Sequence, residues 1–245
     1  MDDNKELLSQ VSDSLSEYYR VLTAADGQEA FDILMQNDDI DLIISDYMMP
    51  KVDGGELARR VKSNVRFSHI PFIMLTAKTD GESKVEGLES GADIYIEKPF
   101  TIKQLRLQIA NLRRIRKSMI EKLQRSGISG PESGMEPLLN RVDAEFLQTL
   151  NDNIRLNVAD EEFSIDVLAQ QLNMSRSSFY RKLKAVTGLS PADYLKNFRL
   201  EYAAQLLRDG ERVTEVALKT GFTSGSYFAK CFKAKYGCLP KDYTA

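Results

Sequence analysis

Leu42-Ile43-Ile44-Ser45-Asp46-Tyr47-Met48-Met49-Pro50 is a short apolar run that ends on a carboxylate and is closed by proline. A run this short, broken so soon, reads as a buried strand that delivers Asp46 to the start of a loop. Similar runs recur at Arg20–Ala24, Pro71–Leu75 and Asp93–Ile96. Segments with helical spacing lie between them, near residues 4–16, 27–37, 54–65, 82–90 and 101–124. The alternation predicts an α/β doubly wound parallel sheet covered by helices on both faces. Sites in such sheets form at the carboxyl edge, where strands give way to loops. At that edge three of the runs place Asp46 after Ser45, Thr76 after Leu75, and Lys98-Pro99-Phe100 after Glu97. Asp2-Asp3 stands just before the first helical segment.

The whole chain has 245 residues, which suggests two domains. With 42% hydrophobic and 28% charged residues it is an ordinary globular composition. Apolar stretches of four or five residues exclude a membrane span, and Asp2-Asp3-Asn4 directly after Met1 excludes a signal peptide. Two cysteines, Cys231 and Cys238, cannot frame a disulfide fold, which fits a reducing cytoplasmic setting. With one histidine they also leave too few ligands for a structural zinc site. The net charge of −3 hides strong segregation. Residues 1–50 carry 12 acidic and 2 basic side chains, residues 101–130 carry 1 and 8, residues 131–170 carry 9 and 2, and residues 171–245 carry 6 and 13. Blocks of this kind point to modules with different partners, and the basic C-terminal third has the charge that a phosphate backbone attracts.

Asp2, Asp3, Asp46, Thr76 and Lys98 together suit phosphoryl transfer. Clustered carboxylates repel one another unless a cation such as magnesium, a hard ion that prefers oxygen ligands, neutralises them. A carboxylate that accepts a phosphoryl group also needs a cation and a hydroxyl for the new oxygens, which Lys98 and Thr76 supply.

The motifs Asp46-Tyr-Met-Met-Pro50 with Asp53-Gly54, Leu75-Thr76-Ala77, Gly91-Ala92-Asp93 and Lys98-Pro99-Phe100 resemble the receiver domain of bacterial response regulators. The resemblance covers residues 2–122. It implies that Asp46 is the phosphoacceptor and that Asp2 and Asp3 are the acidic pair that holds Mg2+, joined by Asp46 and the backbone carbonyl of Met48. Thr76 and Lys98 would contact the phosphoryl oxygens, and Tyr95 falls at the switch aromatic position. The family has an apolar first strand before the acidic pair, central in its sheet order, and here only Met1 precedes Asp2. The first strand is therefore expected to be missing, and the chain is expected to be part of a longer polypeptide. His69-Ile-Pro-Phe leads into a strand, so His69 reads as a loop residue rather than a phosphorylated kinase histidine.

Ser126 to Gly134 is dense in glycine, serine and proline and marks a linker. The expected division is a receiver over residues 1–125, a linker over 126–140 and a second module over 141–245. The second module is duplicated: aligning residues 175–194 with 224–243 gives nine identities, among them Ser175/Ser224, Phe179/Phe228, Gly188/Gly237 and Pro191/Pro240. Each copy reads as a short helix, a turn at Leu172–Ser175 or Gly221–Ser224, and a second helix stopped by glycine, which is the helix-turn-helix pattern. An all-α domain with two such units is expected. Phe179 and Leu183, like Phe228 and Phe232, face a core. Ser177, Ser178, Arg181, Lys182 and Lys184 in the first copy, and Ser226, Lys230, Lys233 and Lys235 in the second, occupy the other faces. Cys231 reads as apolar filler. Between the copies, Ser190-Pro191-Ala192-Asp193 is a capped helix start for a rod running to Arg208, with Tyr194, Leu195, Phe198, Tyr202 and Leu206 as its packed residues.

This module resembles the DNA-binding domain of AraC-type transcription regulators, on Ala169, the connecting helix and Gly221-Phe222, Phe228, Phe232, Tyr236-Gly237 and Pro240, over residues 145–244. The resemblance makes Ser177, Tyr180 and Arg181 in the first copy, and Gly225, Ser226 and Lys230 in the second, the DNA-facing set. Arg181 and Lys230 have the donors that guanine O6 and N7 accept in the major groove, or else they contact phosphate. The whole arrangement resembles the C-terminal end of hybrid two-component regulators. It implies a phosphorylation-controlled transcription regulator, not itself an enzyme, whose partners are double-stranded promoter DNA, a histidine kinase in cis or in trans, a second copy in a homodimer and RNA polymerase. It implies a cytoplasmic location for this stretch, with the full-length protein anchored in the inner membrane. Two other readings compete: a receiver that only scaffolds dimers, and a magnesium-dependent phosphohydrolase, which would place a second acid where Met48 stands. Arg113-Arg-Ile-Arg-Lys117 fits a solvated face, a DNA contact or a dimer seam equally well.

Overall fold

The computed structural model describes residues 1–77, 90–126, 139–160 and 163–243. The expected helix over 82–90 lies almost wholly outside those residues, as do residues 127–138 of the linker. The chain divides into two compact units, Met1–Ser118 and Met119–Ala245.

In the first unit α1 (Lys5–Ser16), α2 (Gly27–Gln36), β1 (Ile43–Asp46), α3 (Gly54–Ser63), β2 (Phe72–Ala77), β3 (Ile94–Lys98) and the larger part of α4 (Ile102–Ser126) follow in chain order. The strands form one parallel sheet in the order β1-β2-β3, with Ile43 opposite Phe72 and Ile73 opposite Ile94. Side chains of a strand alternate between faces, so β2 feeds two cores. Phe72 and Met74 pack with Ile43 and with Leu34 of α2 and Leu57, Ala58 and Val61 of α3. Ile73 and Leu75 pack with Ile96, Leu15 of α1, and Leu105 and Ile109 of α4. Strands covered on both faces have no polar positions to show, which is why they read as continuous apolar runs. Asp93 ties the sheet's lower end together: its carboxylate accepts from the Phe72 amide at 2.7 Å and from Lys62 Nζ at 2.6 Å.

One expected strand is absent. Residues 20–24 carry no ladder, because a strand exists only through the partner that satisfies its N–H and C=O groups. Beside β1, opposite β2, Met1 makes the ladder contacts: its amino group donates to the Ile44 carbonyl at 2.8 Å and its carbonyl accepts from the Asp46 amide at 3.0 Å. His69 sits in the turn before β2, as expected. Arg113, Arg114 and Lys117 lie exposed along α4, with Arg116 half-buried among them.

The second unit contains α5 (Arg141–Leu156), α6 (Ile165–Gln171), α7 (Arg176–Thr187), α8 (Pro191–Arg208), α9 (Val213–Lys219), α10 (Gly225–Tyr236) and a 3-10 turn at Pro240–Asp242. The duplication is visible in the backbone. Helices α7 and α10 start on Ser175 and Ser224, whose side chains accept from the Ser178 and Tyr227 amides. They end on Gly188 and Gly237 at φ 74° and 80°, where each glycine N–H closes on a lysine carbonyl. The tight turns place Asn173 and Gly221 at φ 52° and 67°. Helix α8 opens as its sequence predicts, with Ser190 accepting from the Asp193 amide. It serves both halves: Tyr194, Leu195 and Phe198 join the core of α5, α6 and α7, while Leu200, Ala203 and Ala204 join that of α9 and α10. Tyr202 is only half-buried, so the rod's second half rests on smaller residues than expected.

Two glycines of the second copy, both with positive φ, separate conformational from steric cost. A Cβ at Gly237 meets nothing within 4 Å, so Gly237→Ala pays only the left-handed backbone, about 1–2 kcal/mol. A Cβ at Gly221 falls 2.5 Å from the Val158 carbonyl oxygen as well. Chemical denaturation is expected to rank Gly221→Ala clearly below Gly237→Ala; equal losses would refute the steric reading.

Candidate functional site

Three strand ends converge at the carboxyl edge of the sheet. Register places Asp46 opposite Leu75, Thr76 opposite Glu97, and Ala77 opposite Lys98. Asp46 and Thr76 therefore sit on neighbouring strands one residue apart in height. Gly54 is required there because a Cβ would lie 2.1 Å from the Asp46 carbonyl oxygen. Met1, paired to β1 on its other side, carries Asp2 over the end of that strand.

Lys98 is the hub. Its Nζ lies 2.8 Å from Asp46 Oδ2 and donates to Asp2 Oδ2 at 2.9 Å. The remaining oxygens have their own donors, the Tyr47 amide on Asp46 Oδ1 and the Asn4 amide on Asp2 Oδ1, each at 2.9 Å. Asp2 and Asp46 are buried and Asp3 is exposed, and carboxylate oxygens of all three lie within 4.8 Å of one another. Burial pushes the Asp46 carboxyl above its ordinary value, with Lys98 pulling the other way. Burial opposes the charge on Lys98, but the Asp46 and Asp2 carboxylates outweigh it and hold the ammonium above its ordinary value. Desolvation pushes the Met1 amino group down to about 6. The three carboxylates form a hard-oxygen set that fits a small divalent cation, and the Lys98 ammonium answers part of their charge. The Met48 side chain is exposed in the loop after β1.

Sequence reasoning missed how that loop is held. Lys51 takes the left-handed backbone conformation at φ 62°, and its Nζ donates to the buried Asp26 carboxylate at 2.5 Å. The Gly27 amide donates to the Val52 carbonyl. Strain at a non-glycine residue persists where surrounding contacts over-determine it. No spacing rule pairs positions 26 and 51. Tyr95 is likewise engaged: its hydroxyl lies 3.0 Å from the Ser90 hydroxyl.

In the second unit Ser177, Tyr180 and Arg181 of α7 are exposed and, with Arg176, line a shallow surface depression. Gly225, Ser226 and Lys230 of α10 are exposed as well. Three residues expected on these outer faces are elsewhere. Ser178 is buried against the helix cap, where its side chain accepts from Ser175 Oγ at 2.8 Å. Lys235 turns back to Glu201 of α8 at 2.8 Å. Lys182 is completely buried and pairs with Asp143 of α5. The helical period explains this: position 182 lies next to Phe179 and Leu183 on the inward stripe, and only a partner on α5 makes a charge tolerable there.

Comparison with known proteins agrees with both halves. The family described as response regulator receiver domain matches residues 1–110, and that described as helix-turn-helix domain, of the AraC type, matches residues 168–245. Histidine kinase P4 of Formosa agariphila is 34% identical over 244 residues, 99% of this chain and 18% of its own length. The probable transcriptional regulator ycf27 of Cyanidium caldarium is 38% identical over 173 residues, 69% of this chain and 66% of its own length. The chain thus spans less than two thirds of either relative. The signal receiver domain of a signal transduction histidine kinase from Syntrophus aciditrophicus superposes with a TM-score of 0.44 at 34% identity, covering 46% of this chain and 85% of that one. No helix among the described residues is long and apolar enough to cross a membrane. Residues 1–110 thus match the response regulator receiver family and residues 168–245 a helix-turn-helix family of the AraC type, a pairing that supports a two-component response regulator with a DNA-binding output.

Proposed function

We propose that phosphoryl transfer to Asp46 controls binding of the helix-turn-helix domain to promoter DNA. The observation that carries the reading is the Lys98 ammonium held between the Asp46 and Asp2 carboxylates at the sheet's carboxyl edge. Asp46 attacks the phosphorus of a phosphorylated imidazole on a histidine kinase, in cis or in trans. The new O–P bond forms as the P–N bond breaks, and the departing imidazole takes up a proton from solvent. Asp2, Asp3, Asp46 and the Met48 carbonyl would hold Mg2+, which when bound neutralises charge on the phosphoryl oxygens. Lys98 exchanges a carboxylate for a phosphoryl oxygen, and Thr76 donates its hydroxyl to another. Tyr95 leaves Ser90 as Thr76 moves, and the altered surface favours a homodimer.

On DNA, α7 and α10 enter successive major grooves about 34 Å apart. Arg181 reads guanine, Ser177 and Tyr180 flank it, and Lys230 with Ser226 and the bare backbone at Gly225 serve the second groove. A dimer occupies paired sites, and RNA polymerase is the partner that bound dimers would recruit or block.

Intact mass after incubation with acetyl phosphate and magnesium is expected to rise by one phosphoryl group in the parent and not in Asp46→Asn or with a chelator. Equal gain in Asp46→Asn would remove Asp46 as the acceptor. Lys98→Gln leaves two buried carboxylates facing each other, at a cost of about 2 kcal/mol. Burial already raises Asp46, so the folded chain binds a proton there more readily than the unfolded chain. The stability difference from the parent is therefore expected to be small near pH 4 and to grow as pH rises through the folded-state value; a constant difference would contradict it. Arg181→Ala is expected to weaken specific DNA binding by about 1–3 kcal/mol and to relax one base preference, read by competition binding. Affinity should fall steeply and linearly on a log–log plot against salt, and a flat plot would exclude phosphate-backbone contacts.

A further inference from the structure

Asp143 and Asp193 occupy the same position in two long helices. Each is the third residue of the long helix that precedes a helix-turn-helix, after the caps Asn140 and Ser190. Their partners differ. Asp193 pairs with Lys196 of its own helix, in a half-exposed position. Asp143 reaches across to Lys182 of α7, with both side chains buried. Asn140 holds the carboxylate from behind, donating through Nδ2 to Asp143 Oδ2 at 2.8 Å while its Oδ1 accepts from the Asp143 amide. The ammonium lies 5.3 Å from the centre of the Phe146 ring. In α10 the residue equivalent to Lys182 is Cys231, so the buried pair belongs to the first copy.

An ion pair taken out of water gains little over two apolar side chains of the same volume, so stability is a weak reason for one here. What it adds is direction. Around the pair α7 packs through Phe179, Leu183 and Val186 into an apolar cluster with Phe146 and Leu147, and apolar surfaces tolerate small rotations and slips. A buried charge seated on a carboxylate does not, because rotation would carry it off its partner. Lys182 directly follows Arg181, so the rotation of α7 that seats Lys182 on Asp143 is the rotation that turns Arg181, Tyr180 and Ser177 outward.

We propose that Lys182, held by Asp143 and Asn140, is a positioning residue for sequence recognition: it sets the rotation of α7 and makes the first helix-turn-helix the more stringent reader of the two. The proposal rests on the reading of α7 as a DNA-facing helix. In α10 the corresponding tie to α8, Lys235 with Glu201, lies nearer solvent, and with glycine at position 225 α10 is the more adaptable of the two.

The test uses the full chain and two duplexes, one enriched by the parent from a random pool and one of the same composition scrambled. Asp143→Leu with Lys182→Met replaces the pair by apolar residues of similar size. The melting temperature is expected to stay level or rise, while affinity for the enriched duplex falls about tenfold and that for the scrambled duplex is unchanged. Asn140→Ala keeps both charges and frees the carboxylate, so a smaller loss with the same pattern is expected; it carries the test if the double variant does not fold. Parent-level discrimination in the folded variants, or equal losses on both duplexes, would overturn the positioning role. Arg181→Ala run alongside distinguishes the two levels: if it too leaves discrimination unchanged, α7 is not the reader and the premise fails rather than the pair.

Discussion

A carboxylate can leave water only if something answers its charge, and in both units that answer is a lysine delivered from another element. Lys98, at the end of β3, meets Asp46 at the end of β1 and Asp2 beside it. Lys182, on α7, meets Asp143 in the first turn of α5. Each unit is built so that the lysine arrives. The parallel register that sets Ala77 opposite Lys98 brings β3 level with the carboxylates, and Gly54 keeps clear of the Asp46 carbonyl so that α3 can start at once. The apolar layers on the two faces of the sheet hold that register, since a slip by one residue would move Phe72 and Met74 to the wrong face.

The two lysines answer charge to different ends. Lys98 is partly exposed and its partners sit at a loop edge, where a phosphoryl group with its own charge has room to take over one of the carboxylates' places. Lys182 is sealed in with its carboxylate partner, which suits the orienting role proposed for it. The contrast follows from desolvation: a pair at a rim costs little to rearrange, while a pair in a core costs several kcal/mol to break. The same contrast runs through the duplicated module, where Asp193 stays near solvent with Lys196 and Asp143 does not.

Much of this was legible in advance. Buried parallel strands show as apolar runs, so β1, β2 and β3 were found at their places, and the residues they deliver, Asp46, Thr76 and Lys98, follow from chain order alone. The start of α8 at Ser190 and the ends of α7 and α10 at Gly188 and Gly237 were equally plain, because these residues act on neighbours three or four residues away. The strand assigned to residues 20–24 failed for the opposite reason: its composition suits a strand, but a strand also needs a partner at its side. Ser178, Lys182 and Lys235 were placed outward by their polarity, and the structure turns each inward or sideways.

What the sequence determined by itself is therefore local: which segments are helices or strands, where they start and stop, and which chemistry stands at each strand end. Those features depend on interactions within about one turn or one strand length. The tertiary structure decided the pairings between distant positions: Lys98 with Asp2, Lys51 with Asp26, Lys182 with Asp143. A polar residue reads as solvent-facing until a partner of opposite charge is brought within reach, and that partner is supplied by packing, which no spacing along the chain encodes.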